Sequence, residues 1–430
     1  MSDVKIHVED VTRVEGHGDV ILDVQSGEIK ELKLAITESP RFFEAFLLGR
    51  KWYDAAHITC RICGICSIGH TSASLQAMEN ALGVQISEQT LLLRRLAFAG
   101  ETLQSHYLHA FYLVAPDLLG VPSVLPLVAS HPDVVKMALR LKRLGNDICC
   151  TVAGRHIHAC AMKVPAFPKS PKAEDLLALK QRLIASVPDL HATVALLKTL
   201  SLPAFEREME FTALHHPDEY ALYRGEVIRS TVTGDTAIPD YKNQVREFVV
   251  PHSHAKQVAS AAGPYMVGAL ARFNINYDQL RPESKEVAEA LGLQPICYNP
   301  FMNTIAQVVE CVECTLDGIE FIDRLVDGDM LHDEDMTVKV KAGRGVGAAD
   351  VPRGTLFHEY AIDDEGTIVD CNLIIPTGQN LNNIEHDMRA LVPQILDQPQ
   401  EKIALTLEML VRAYDPCISC ATHLLKVEFV

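Results

Sequence analysis

Two pairs of cysteines, one near each end of the chain, carry the spacing of metal ligands. The first is Cys63-Gly64-Ile65-Cys66, preceded by Arg61 and followed by His70. The second is Cys417-Ile418-Ser419-Cys420, preceded by Asp415-Pro416 and followed by His423. Residues three apart share a face of one helical turn, so both sulfurs of a pair can address one point. His70, four positions after Cys66, falls on the same face. Two such pairs make a four-thiolate set, which suits zinc, an iron–sulfur cluster or another soft-metal site. About 350 residues separate Cys66 from Cys417, whereas a structural zinc knuckle joins pairs close in sequence. A buried catalytic centre held by distant elements fits this spacing better. Arg61 and a helix N-terminus after Cys63 are expected to favour thiolate.

Other chemistry-bearing stretches weigh less. Cys311-Val312-Glu313-Cys314 repeats the pair spacing but lies in an apolar helical stripe with Val308, Val309, Leu316 and Ile319, which reads as core packing. Cys60, Cys149, Cys150, Cys160, Cys297 and Cys371 read as small buried hydrophobes. Gly343-Arg344-Gly345-Val346-Gly347 lacks the strand before and helix after that a dinucleotide loop requires. Thr12–Gly18 reads as a charged turn, with Glu15 the residue of interest. Glu44 reads as a first-turn carboxylate favoured by the helix dipole. Proline-framed loops at Val351–Gly354 and Asn372–Thr377 can aim an arginine and backbone N–H groups at an anion.

These residues need elements to carry them. The 430 residues are 48% hydrophobic and 22% charged, enough for a sizeable core. Net charge of −17 argues against nucleic acid, which is bound through clustered Lys and Arg. No run of about 18 apolar residues predicts a membrane span, and the first residues lack a leader pattern, so a cytoplasmic location is expected. Residues 4–36 predict three strands. Helical periodicity predicts helices from Cys63 to Leu82 and from Ser87 to Val114, ended by Pro116. Further helices are predicted over roughly 133–155, 171–200, 283–291, 301–328 and 400–413, and a hairpin over 355–375. The expectation is a mainly α fold with small β elements: a long-helix bundle core, an N-terminal sheet and a late hairpin, in one domain over 1–430.

Arg61-x-Cys63-Gly64-x-Cys66-x3-His70, paired with Asp415-Pro416-Cys417-x2-Cys420-x2-His423, resembles the large subunit of nickel–iron hydrogenases. Arg13–His17, Pro40–Glu44, Val351–Gly354 and Ile375–Thr377 occur in that family's order. Glu38–Glu44 and Tyr298–Asn303 look most like its soluble bidirectional, NAD(P)-linked or sulfhydrogenase branch. The resemblance implies that Cys63 and Cys417 bind nickel terminally, while Cys66 and Cys420 bridge nickel and an iron that carries cyanide and carbonyl ligands. His70 would hydrogen-bond a bridging sulfur. Pro352, Arg353, Ile375, Pro376 and Thr377 would line the diatomic-ligand pocket, with Asp415 paired to Arg353. Glu44, the Leu373 carbonyl and His423 would hold magnesium. Glu15 would relay the proton from Cys417 as hydrogen is split heterolytically, with Arg353 the rival base.

The resemblance also implies partners: an iron–sulfur small subunit, flavin- and NAD(P)-binding and further iron–sulfur subunits, a maturation protease and nickel-insertion proteins. The protease would cut between 423 and 424, removing the apolar heptapeptide Leu424–Val430. Two departures stand out. Leu108-His109-Ala110-Phe111-Tyr112 lacks the Asp common in relatives, a part Asp117 could take. Residues 153–167 differ from the family pattern where the small subunit's nearest cluster should lie. Two readings of other classes remain on these residues: a plain zinc protein, and a relative that lost its metal and acts as a scaffold or quinone-site subunit.

Overall fold

The computed structural model describes residues 3–422, so the expectations for His423 and for Leu424–Val430 fall outside the described residues. The chain opens with the antiparallel meander Val4–Val8, Gly18–Gln25 and Glu28–Ile36. Val20, Leu22 and Val24 alternate inward, as period-two patterning requires.

The long helices span Ser67–Leu82, Glu88–Leu108, Pro132–Ala153, Ala173–Leu197 and Asn303–Asp327, followed late in the chain by Pro376–Ile395 and Gln400–Ala413. Ser87 caps its helix by accepting the Thr90 N–H at 3.0 Å. One apolar cluster runs from Val4 to Ala421 and takes in both cysteine pairs. Among the described residues no helix is long and apolar enough to cross a membrane.

Four local expectations need correction. The helix expected from Cys63 starts at Ser67, with Cys66 at its N-cap, so the first pair sits in the turn that precedes it. Pro116 does not end its helix. A π turn over His109–Val114 widens the coil, and the chain continues helically to Leu118, since the missing proline N–H is tolerated in a first turn. Ile375-Pro376-Thr377 is no loop: Pro376 opens the 20-residue helix Pro376–Ile395. Cys160 is exposed, and Cys150, Cys297 and Cys371 are only half-buried, whereas Cys60 and Cys149 are buried as expected. The four-stranded sheet of Gly234–Ala237, Val227–Ser230, Glu210–His215 and Tyr265–Met266 had no signal long enough to read.

The late hairpin is the outer part of a three-stranded antiparallel sheet: Gly343–Val351, Gly354–Ile362 and Ile368–Ile374. Its glycines explain the Gly343–Gly347 motif. A Cβ on Gly343, Gly345 or Gly347 would lie 2.0–2.2 Å from the carbonyl oxygen of Ala81, Ala77 or Ala73. The strand therefore lies directly on the backbone of the Ser67–Leu82 helix, which only a residue without a side chain allows. Cys311 and Cys314 lie buried in the Asn303–Asp327 helix, where burial pushes both thiols well up, as core cysteines behave.

Candidate metal centre

The two pairs meet. Cys63 Sγ lies 3.5 Å from Cys417 Sγ across 354 positions of sequence, and the sulfurs of Cys417 and Cys420 are in contact. The sulfurs of Cys63, Cys417 and Cys420 lie within 4.8 Å of one another, as do the ligating atoms of Cys66, His70 and Cys420. All five residues are buried. Cys420 belongs to both groups, so the four sulfurs form one cluster with His70 at its edge.

Local folding sets each pair. The Cys66 N–H points at Cys63 Sγ at 3.3 Å. Asp415, in the left-handed region at φ +50°, turns the chain out of the Gln400–Ala413 helix. Thr377, in the first turn of its helix, accepts the Cys417 N–H at 2.9 Å. Arg41 holds the two cysteine turns together: its Nη2 donates to the Ile62 carbonyl at 2.7 Å and to the Ser419 carbonyl, and its N–H donates to Thr422 O at 2.7 Å.

The charged turn after the first strand is not merely solvated. It pairs Glu15 with Cys417 as an isolated parallel bridge, with Ile418 N–H donating to Glu15 O at 2.8 Å. The Glu15 carboxylate lies 3.0 Å from Cys417 Sγ and accepts the Ser419 N–H at 3.1 Å and the Ser419 hydroxyl. Gly16, at φ +87°, permits this approach, since a Cβ there would meet Ile418 Cβ at 2.7 Å. Asp117 fastens the same turn. It accepts from Arg412 Nε at 2.7 Å and from Arg13, while Arg412 Nη1 donates to Thr12 O at 2.9 Å.

Arg353 is buried close enough to Cys63 and Cys66 to act on both thiols. Its Nε donates to the Asp415 carbonyl at 2.7 Å and its Nη2 to Asp415 Oδ1 at 2.9 Å, the expected pairing. Gln307 donates to the other carboxylate oxygen at 3.1 Å. Arg272, itself clamped by Glu310, holds the Val351 and Pro352 carbonyls at 2.8 and 3.1 Å and so fixes the loop that presents Arg353. Pro352, Ile375, Pro376 and Thr377 are all buried. Glu44, 5% exposed, accepts the Leu373 N–H at 2.8 Å.

The expected influence of Arg61 is overturned. Arg61 is exposed and donates to the His57 carbonyl, 3.4 Å from Cys60 Sγ. The guanidinium that acts on the first pair is that of Arg353. The Cys63 thiol is lowered to about 7, chiefly by the hydrogen bond from the Cys66 thiol and then, against burial, by Arg353. Cys66 is correspondingly pushed well up. Glu101 accepts the Ile68 and Gly69 N–H groups at 2.5 and 2.8 Å, capping the helix that follows Cys66, and burial raises its pKa well above the carboxylate range. Reading the sequence missed Glu101, Gln307, Arg272 and Glu310. The signal was there in part, since each is a polar residue inside an apolar helical stretch.

This arrangement fits a bound soft-metal group. The thiols supply the donors, and Arg353 Nη1, buried beside Cys63 and Cys66, finds no hydrogen-bond partner among the described residues. Family comparison identifies the group. The model of the nickel-dependent hydrogenases matches residues 41–144 and 198–423, and a HoxL-like model matches residues 5–39. The chain belongs to the nickel-dependent hydrogenases. Hydrogenases are oxidoreductases acting on hydrogen, and this chain is a catalytic large subunit of that kind, with a nickel–iron centre. It is 33% identical to sulfhydrogenase 1 subunit alpha of Pyrococcus furiosus over 98% of both chains. It is 26% identical to the HoxS subunit beta of the NAD-reducing hydrogenase of Cupriavidus necator, over 98% of this chain and 95% of that one. The fold superposes on a crystal structure of an NAD+-reducing [NiFe]-hydrogenase in the H2-reduced state with a TM-score of 0.89, at 28% identity, covering 98% and 99% of the two chains.

Proposed function

We propose that this hydrogenase subunit holds nickel on Cys63 and Cys417, shares Cys66 and Cys420 between nickel and an iron with cyanide and carbonyl ligands, and passes electrons towards NAD(P) or a similar acceptor. The observation that carries this reading is the meeting of the two pairs beside the Glu15 carboxylate. The bound centre would supply the electrophile at which H2 is polarised into a proton and a hydride equivalent.

The chain's own groups do the rest. Cys417 Sγ takes the proton, and Glu15, 3.0 Å away, carries it off. Arg353 keeps its own proton, because burial is outweighed by Asp415 and the thiolates. It therefore acts as a fixed donor, with Pro352, Ile375, Pro376 and Thr377 walling the diatomic-ligand pocket from water. Glu44, the Leu373 carbonyl and His423 would hold magnesium through hard oxygen and nitrogen donors. Beyond the groups built on the four clustered cysteines, the described residues bring no other three or more His, Cys, Asp or Glu ligands to one point. An iron–sulfur small subunit is therefore part of the proposal, seated near residues 153–167, with flavin- and NAD(P)-binding subunits beyond it.

Elemental analysis of the purified complex tests the centre. One nickel per copy of this subunit is expected, with iron in excess of it because the partner's clusters also count, and with hydrogen–deuterium exchange activity. Stoichiometric zinc, or no metal, would establish the structural or scaffold reading instead. We propose also that the maturation protease cuts after His423 once nickel-insertion proteins have loaded the site. Intact mass of the nickel-loaded subunit is expected to end at His423, and a fully active chain still carrying Val430 would refute the cleavage.

A further inference from the structure

One face of the Asn303–Asp327 helix reaches both partners of the Arg353–Asp415 pair. Asn303, Gln307 and Glu310, spaced by four and three, fall on that face and are at most 3% exposed. Asn303 Nδ2 donates to the Ala413 carbonyl at 2.9 Å, and Gln307 Nε2 donates to Asp415 Oδ2 at 3.1 Å. Glu310 accepts from Arg272 Nε at 2.6 Å and from its Nη2 at 2.7 Å, while Arg272 holds the Val351 and Pro352 carbonyls. The first two residues therefore grip the turn that carries Asp415. The third, through Arg272, grips the loop that carries Arg353.

We propose that this face sets the geometry of the Arg353–Asp415 pair, and that Gln307 is a positioning residue for Arg353 that acts through Asp415. The inference rests on the centre proposed above, in which Arg353 is the fixed donor beside the thiolates. Arg353 Nη2 uses one carboxylate oxygen, Oδ1, at 2.9 Å. The terminal torsion of an aspartate is soft and roughly two-fold, so that contact alone leaves the carboxylate plane free to turn. Gln307 on Oδ2 removes this freedom. A carboxylate oxygen accepts, which turns the Gln307 NH2 towards Asp415 and its amide oxygen towards His109 Nδ1. His109 Nε2 donates to the Arg412 carbonyl at 2.7 Å, an acceptor shared with the Asp415 N–H at 2.8 Å. The amide is thus anchored on the same turn it orients. With the carboxylate fixed, Arg353 commits Nε and Nη2 to Asp415, and Nη1 is the guanidinium nitrogen with no partner among the described residues. That nitrogen is the one available to a group bound on the sulfurs. Removing the amide would strand a charged oxygen in a dry interior, and the pair would relieve this by turning.

Gln307→Met keeps the length and bulk of the side chain and removes the donor. In the nickel-loaded complex it should move the stretching bands of the iron-bound cyanides. Hydrogen–deuterium exchange should fall about tenfold, the factor for one hydrogen bond to a charged group. Nickel content should stay at wild type. Arg353→Lys supplies the second arm, since lysine cannot reproduce the two-nitrogen grip on Asp415. Adding Gln307→Met to Arg353→Lys should change neither the bands nor exchange any further, because a residue that acts through Arg353 then has nothing left to position. The bands stay readable even where exchange is lost. A further shift or loss in the double variant, as large as in Gln307→Met alone, would overturn the proposal. Wild-type bands and exchange in Gln307→Met would overturn it as well. So would loss of nickel from Gln307→Met, since the amide would then hold the Cys417 turn and not the guanidinium. A wild-type complex without nickel or cyanide bands would sink the centre itself, a result separable from all of these.

Discussion

A Cys420→Ser chain is expected to purify folded and almost free of nickel. Cys420 is the sulfur common to both groups at the site: it lies within 4.8 Å of Cys63 and Cys417 on one side and of Cys66 and His70 on the other. Losing any other sulfur shortens one group; losing this one takes a donor from both. Serine matches cysteine closely in volume, so the packing around position 420, which is 1% exposed, should survive. Its hydroxyl stays protonated at neutral pH and is a hard donor, poorly matched to a nickel–iron centre held by soft thiolates. Nickel per chain should fall to about a tenth of wild type or lower, with exchange activity lost in step, since a ligand loss weakens binding by well over one decade. Thermal unfolding of the metal-free forms should differ little between variant and wild type. Cys66→Ser should behave alike. Cys311→Ser, in the apolar helix, should keep its nickel and separates a site effect from any cysteine effect. Full nickel and full hydrogen uptake in Cys420→Ser would sink the assignment.

Glu15→Gln should give the opposite signature, a loaded centre with stalled proton transfer. The turn that carries residue 15 is tied by backbone, through Ile418 N–H to the residue-15 carbonyl, and by Asp117 to Arg13 and Arg412. None of these ties involves the Glu15 side chain. Glutamine fills the same space, and its amide oxygen can still accept from Ser419. What it cannot do is take a proton from Cys417 Sγ, 3.0 Å from the present carboxylate. Exchange and turnover should fall by about two to four orders of magnitude, the usual value of a positioned proton-transfer group. Nickel and iron content should stay at wild type. Unchanged exchange would move the relay elsewhere and make Arg353 the next group to replace.

Much of this site is local in origin and so was legible in the residues. The Cys-x2-Cys spacings, the histidine four positions on, the strand alternation of residues 4–36 and the Ser87 cap each depend on neighbours within a turn or two. Asp415 opposite Arg353 was reached by resemblance, and the structure pairs them directly. Misreadings cluster where a local rule met a packing demand. The glycines of 343–347 looked like a failed phosphate loop, because nothing nearby says that a helix backbone lies on them. Pro116 looked like a stop, because its π turn is decided by packing around His109–Val114.

What the sequence determined by itself was the donor set, since thiolates at that spacing admit few uses, and the run of elements that carries it. Tertiary structure alone decided the electrostatics. Arg61 is next to the first pair in sequence and turns away, while Arg353, 290 positions from Cys63, faces it. Glu15 reaches Cys417 across 402 positions, and Glu101 caps a helix that begins 34 residues before it. Charge acts over a few ångströms of space in a dry interior, so the groups that tune a buried thiol are those the fold brings near, wherever they lie along the chain.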